Sequence, residues 1–282
     1  MLCLRLLVLL WAVITDAVVV TFHNELDYPV TISWVVEGGD FRLAGKAQPH
    51  DAVALSTVPG HAFSYAVDGA RRSYIATDKE DQFQIIARTT IKVKCTVRGQ
   101  KDSFDVHVVP NWSPRGAYRF LELVRHGYFD GMAITRVVPK FLAQFGISRA
   151  YEQRTVWRGR TIPDDEDPGV PFKVGMLAFA GSGPHSRTTE VFVVMPDTPA
   201  EQLAHFGTNP WETPFGHVTR KTVEAVLPKF TNQYGDMPPW GKGPNPHRIY
   251  EFDGYEHLHH TFPELSYFET CNIMPPAFSA EL

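Results

Sequence analysis

The chain has 282 residues, 44% of them apolar and 21% charged, with a formal net charge of −4. That length accommodates two ordinary domains, and that composition belongs to a folded globular protein. A negative balance without any long basic run excludes nucleic acid from the expected partners.

The first twenty residues, "MLCLRLLVLLWAVITDAVVV", carry Arg5, an apolar run to Ile14, and then Thr15 and Ala17 at the small-residue spacing a signal peptidase accepts. Residues 1–17 therefore read as a secretory signal peptide cleaved near Ala17. The alternative is a membrane anchor extended by residues 18–20, against which stand Asp16 and the strand-like continuation "VVVTFHN". No later stretch reaches the roughly 20 apolar residues of a span, so the mature chain is expected to cross no membrane. The expected location is the secretory pathway, either the endoplasmic reticulum lumen or outside the cell. Loss of Cys3 with the signal leaves Cys95 and Cys271. A bridge between them and a pair of separate buried thiols both remain open, because spacing alone cannot bring two sulfurs together. The sequon Asn111-Trp112-Ser113 is followed by Pro114, which disfavours its glycosylation.

Residues 18–87 alternate in the manner of short strands. "VVVTFHN", "VTISWVV", "VALSTV" and "AFSYAV" are β-branched and aromatic runs separated by the turn-formers "ELDYP", "EGGD", "KAQPHD" and "PGH". Strands at this spacing predict a small β-sandwich. From residue 88 the pattern changes. "IKVKCTV" and "SFDVHVV" predict a hairpin closed by "RGQKD". Ser113 as N-cap and Pro114 at the first helical position start a helix that stops near Gly127 and sets Ala117, Phe120, Leu121 and Val124 on one face. "TRKTVEAVLPKF" predicts a second helix, and "FPELSYFETCNI" a last strand. The fold expected is mainly β: a sandwich over 18–87, then a closed antiparallel barrel over 88–275 capped by two helices, with residues 276–282 as a tail.

Within the barrel, "ITRVVPKFLAQFGIS" places Arg136 and Gln144 in an otherwise apolar stretch. Strand alternation sets Arg136 with Val138 on one face and Leu142 with Gln144 on one face of the next strand. A small apolar slot with few polar groups suits a proline ring. The segments "VVPNWSPRGAYRFLELVRHGYFDGMAITRVVPKFLAQFGIS" and "GMLAFAGSGPHSRTTEVFVVM" resemble the cyclophilins, the barrel-shaped peptidyl-prolyl isomerases, and the likeness covers residues 90–273. By that resemblance Arg136 is the catalytic donor and Gln144 steadies it or the substrate carbonyl. Phe141, Leu142 and Phe192 form the slot, and Ala180, Gly181 and Glu190 complete the substrate-binding wall. No cofactor or metal is implied. The implied substrates are X-Pro bonds of peptides or unfolded protein segments, and the alternative is a catalytically weak proline-binding or scaffold module.

The sequence departs from the family in five places. Ile134 and Thr135 replace the usual Phe-His, Gly181 replaces an asparagine, Glu190 replaces a glutamine, and Val191 replaces the aromatic beside it. A carboxylate at 190 is expected to pair with Arg136 and weaken catalysis. The family's Trp-Leu and His of the third wall do not fall in register before Phe215. The N-terminal stretch "FHNELDYPVTISWVVEGG" with "STVPGHAFSY" resembles the β-domain of the VHL family, whose hydroxyproline pocket Thr57 and His61 match and Ala44 and Phe63 do not. A protein partner is the implied ligand of that domain. His257, His259 and His260 lack further metal-ligand spacing, and "PDDEDPG" at 163–169 reads as a solvated loop.

Overall fold

A computed structural model describes residues 17–36 and 38–276. The signal-peptide reading therefore falls outside the described residues, apart from its last position. Two compact units divide at Ile86/Ala87.

The first unit contains β1 (Val18–Asn24), β2 (Val30–Val35), β3 (Phe41–Ala47), β4 (Ala52–Thr57), β5 (Ala62–Val67), β6 (Ala70–Ile75) and β7 (Asp81–Ile86). They form a three-stranded sheet, β4-β1-β7, and a four-stranded sheet, β3-β2-β5-β6. Alternation in β1 buries Val18, Val20 and Phe22, and alternation in β5 buries Phe63, Tyr65 and Val67, so one apolar core fills the unit. Phe22 meets Phe63, Tyr65 and Tyr74 edge-on at 5.2–6.1 Å, the offset geometry aromatic rings prefer. β3, β6 and β7 were not legible in the sequence. β3 and β6 are the edges of their sheet, and their largely exposed side chains need no apolar alternation. Thr57 Oγ1 lies 2.8 Å from His61 Nδ1, so the two hydrogen-bond each other at the end of β4.

The second unit begins with β8 (Ile91–Val97) and β9 (Phe104–Val108), the expected hairpin. It continues through α1 (Pro114–Arg125), β10 (Arg136–Val138), β11 (Leu142–Phe145), α2 (Tyr151–Arg158), β12 (Met176–Phe179), β13 (Val191–Val194), α3 (Ala200–Leu203) and β14 (Pro214–Val218). α4 (Arg220–Ala225) with the 3-10 turn Leu227–Lys229, α5 (Pro246–Ile249), α6 (Gly254–Thr261) and β15 (Phe268–Ile273) complete it. The eight strands run in the order β10-β11-β13-β12-β14-β9-β8-β15. The curled sheet closes where the segment before β10 meets the start of β15: Ile134 N–H bonds Ser266 O and Phe268 N–H bonds Met132 O, both at 2.9 Å. Inside lie Val137, Ala143, Phe145, Leu177, Phe179, Val191 and Val193, sealed by Phe120 and Leu121 of α1. Cys95 and Cys271, register partners on β8 and β15, are joined as a disulfide, which decides between the two alternatives the sequence left open.

α1 and α4 are the two expected caps, and among the described residues four further helices occupy connections whose shorter or more polar sequences carry a weaker period. One correction concerns the acidic loop. Asp165 is not solvated: it accepts from Arg115 N–H at 2.8 Å and Gly116 N–H at 3.0 Å, and from the Ser113 hydroxyl. It also pairs at 3.1 Å with Arg187, whose side chain is fully buried. The N-terminus of α1 is thus capped by a carboxylate 52 residues downstream rather than by Ser113 itself.

Candidate functional site

Strand register places the site. Arg136 opposes Gln144, Gln144 opposes Phe192, and Phe192 opposes Ala178, a single row across four strands. Leu142 and Val194 lie two residues along on the same face. Because neighbouring side chains alternate, this row points away from the barrel interior and joins a second apolar cluster, Leu142, Phe172, Met176, Ala178, Phe192 and Val194. A slot on the outer wall follows from the pleat.

The eight catalytic and substrate-binding candidates of the barrel line one cleft of about 760 Å³: Arg136, Phe141, Leu142, Gln144, Ala180, Gly181, Glu190 and Phe192. The guanidinium of Arg136 stands 5.6 Å from the Phe141 ring centroid, with its side chain 15% exposed. Phe206, absent from the sequence reading, stacks against Phe141 at 5.2 Å and Phe192 at 5.3 Å and supplies the missing third apolar wall. Its only sequence signal is an aromatic in a polar loop, "EQLAHFGTN".

The polar groups form one chain. Asp236 grips the side edge of Arg136, accepting from Nε at 2.6 Å and Nη2 at 3.1 Å. Nη1 donates to Gln144 Oε1 at 3.1 Å. Gln144 Nε2 donates to Glu190 Oε2 at 2.8 Å, and the Tyr250 hydroxyl donates to Glu190 Oε1 at 3.2 Å. Arg158 stacks on the Tyr250 ring at 4.2 Å. Glu190 therefore does not pair with Arg136 as expected. The carboxylate on Arg136 comes from 100 residues away, and Glu190 reaches the arginine only through the Gln144 amide. Burial pushes the Glu190 carboxyl above the ordinary carboxylate range, against the opposing pull of the Gln144 and Tyr250 hydrogen bonds. Burial, helped by the neighbouring Glu190 charge, raises the Tyr250 hydroxyl likewise.

The other departures also have physical reasons. A Cβ at Gly181 would lie 2.6 Å from Trp211 Cδ1, so the indole occupies the space an asparagine side chain would need. Glu212 braces that loop, accepting from Gly207 N–H at 3.1 Å and Asn209 Nδ2 at 3.2 Å. The histidines of α6 diverge: His257 bonds Thr261, His259 stacks on Tyr267, and His260 faces Glu256. Among the described residues no cluster of three or more His, Cys, Asp or Glu could hold a metal ion.

The model of the cyclophilin-type peptidyl-prolyl cis-trans isomerase family matches residues 92–241, more than half of the chain. This chain is a cyclophilin-family protein. Its relatives include peptidyl-prolyl cis-trans isomerase-like 1 of Rhizopus delemar, 29% identical over 33% of this chain and 59% of that one. A Staphylococcus aureus protein named as a peptidyl-prolyl cis-trans isomerase is 27% identical over 44% of this chain and 64% of its own. The spliceosome-associated protein CWC27 homolog of Danio rerio is 27% identical over 48% of this chain and 27% of its own. The cyclophilin thus spans less than two thirds of each of these relatives. A crystal structure of a Cryptosporidium parvum cyclophilin aligns over 66% of this chain and 99% of its own, at 14% identity and a TM-score of 0.43.

Proposed function

We propose that the second unit is a peptidyl-prolyl cis-trans isomerase acting on X-Pro bonds of peptides or unfolded protein segments. The observation that carries this reading is the position of Arg136 over the Phe141, Leu142 and Phe192 slot, held from two sides. An X-Pro amide turns slowly, over a barrier of about 18–20 kcal/mol, because the nitrogen shares its lone pair with the carbonyl. At the twisted midpoint that pair is localised on the prolyl nitrogen and accepts a hydrogen bond. A donor fixed beside the ring lowers the midpoint and leaves both planar ground states alone. Of the five guanidinium N–H groups, three are engaged by Asp236 and Gln144, so two remain for substrate. Gln144 and Asp236 position the arginine, and Phe206 closes the slot above Phe192.

Measuring cis/trans exchange of an acetyl-Ala-Pro-Ala-amide peptide by NMR tests the reading. Wild type is expected to accelerate exchange, and Arg136→Ala to lose at least about tenfold of that acceleration, the share of one charge-assisted donor. Equal rates for the two proteins refute it. A second reading, a proline-binding module with little turnover, is favoured by one observation: Asp236 already neutralises the arginine. Peptide binding with unaccelerated exchange in the wild type selects that reading.

A secretory location is part of the proposal, supported by the apolar leader-like start and by the pairing of Cys95 with Cys271, since disulfides persist in oxidising compartments. A VHL-like role for the first unit in docking a protein partner rests on Thr57 and His61 at the end of β4.

A further inference from the structure

Asp236 lies outside every motif that the isomerase reading uses, yet it takes two of the three bonds that fix Arg136. Its loop is built to hold it there. Asp236 Oδ1 also accepts from Met237 N–H at 2.7 Å, and Asp236 O accepts from Gly243 N–H at 2.8 Å. A Cβ at Gly241 would sit 2.3 Å from Asp236 O, so a glycine is required for the loop to close on that carbonyl. The residues that follow, Met237, Pro238 and Pro239, line the same cleft as the slot. A second carboxylate, Glu190, is one amide away through Gln144. Arg158, which lines the same cleft, stacks on Tyr250 and acts on Glu190 instead. Arg136 is therefore already matched by a largely buried anion, Asp236, whose side chain is 20% exposed.

Resting on the isomerase reading, we propose that Asp236 is a specificity-determining residue that makes the cleft accept prolines inside a chain and reject prolines carrying a free C-terminal carboxylate. A neutral amide carbonyl approaching the two remaining Arg136 N–H groups meets no penalty. A carboxylate on the proline itself, docked at the same guanidinium, comes within a few ångströms of Asp236 in a partly desolvated site, where like charges repel strongly. The attraction of the arginine offsets this only in part, because Asp236 already balances its charge and takes two of its donors. The substrate class is thus an internal X-Pro bond with an uncharged group after the ring.

The probes are acetyl-Ala-Pro-amide and acetyl-Ala-Pro free acid, titrated into the full chain and followed by NMR chemical shift for binding and by exchange for turnover. Wild type is expected to favour the amide by at least tenfold in affinity. Asp236→Asn is expected to bring the ratio below threefold by tightening the acid, and Asp236→Glu, which keeps the charge, to retain discrimination. Equal affinity of wild type for both peptides, or an unchanged ratio in folded Asp236→Asn, overturns the proposal while leaving the isomerase reading intact. Failure of wild type to bind or turn over the amide overturns the isomerase reading and this proposal with it. A merely structural role for Asp236 would weaken both peptides together and leave the ratio where it was, which also refutes the assignment.

Discussion

Replacing Glu190 by glutamine separates two accounts of the same carboxylate. Were Glu190 a brake on Arg136, neutralising it would speed turnover. The contacts argue the reverse. Its two oxygens accept from Gln144 Nε2 and Tyr250 Oη, which turns the amide of Gln144 so that its carbonyl, not its NH2, faces Arg136. A glutamine at 190 presents one acceptor and one donor, so Gln144 loses its orienting charge and one charge-assisted bond becomes neutral. Bonds to charged groups contribute about 1.5–3 kcal/mol against about 0.5–1.5 for neutral ones, a difference of about 1 kcal/mol. That corresponds to a fall of roughly three- to tenfold in kcat/KM, expected mainly in kcat because slot contacts are untouched. pH adds an independent check. Burial raises the Glu190 pKa, so the folded protein holds a proton that the unfolded chain has already released. Stability should therefore decline as pH rises from the ordinary carboxylate range through the raised value, then level off. Wild type should show this decline and Glu190→Gln should lack it, read by urea denaturation between pH 4 and 8 as a rough bracket of that window. A variant faster than wild type refutes the positioning argument.

Two further predictions concern the frame of the cleft. Gly181→Asn must displace Trp211, whose Cδ1 would meet the new Cβ at 2.6 Å, and overpacking of this kind costs about 1–3 kcal/mol. A red shift of tryptophan emission with lowered urea midpoint is expected, and an unchanged midpoint contradicts the packing. Asp165→Ala removes the α1 cap and the closer of the two carboxylates at Arg187, a fully buried guanidinium, which should cost about 3–5 kcal/mol. A loss below about 1 kcal/mol in chemical denaturation would show that Asp164 and Pro163 O suffice for Arg187.

Local pattern was enough for the β8–β9 hairpin, α1, the last strand and the face shared by Arg136 and Gln144, because each depends on periods of two or 3.6 residues or on a single N-terminal proline. The same logic fails for edge strands β3 and β6, which bury too little to alternate, and for α2 and α6, whose buried positions are few. Arg154 shows the limit well. Its guanidinium is buried and donates to the carbonyls of Arg149, Glu251 and Phe252. No local window contains both the donor and carbonyls 97 and 98 residues away.

What the amino-acid order determined by itself was a charged donor and an amide on one pleat of a strand pair, opposite apolar partners, since that follows from alternation along the backbone. Tertiary structure alone decided which charged partners surround the donor. Asp236 arrives from a loop 100 residues downstream and Glu190 turns to Gln144 and Tyr250 instead, while Phe206 and Trp211 fill spaces that no nearby residue claims. The physical reason is one of range: backbone periodicity sets which way a side chain points, but electrostatic and packing partners depend on which distant segments closure of the barrel brings alongside.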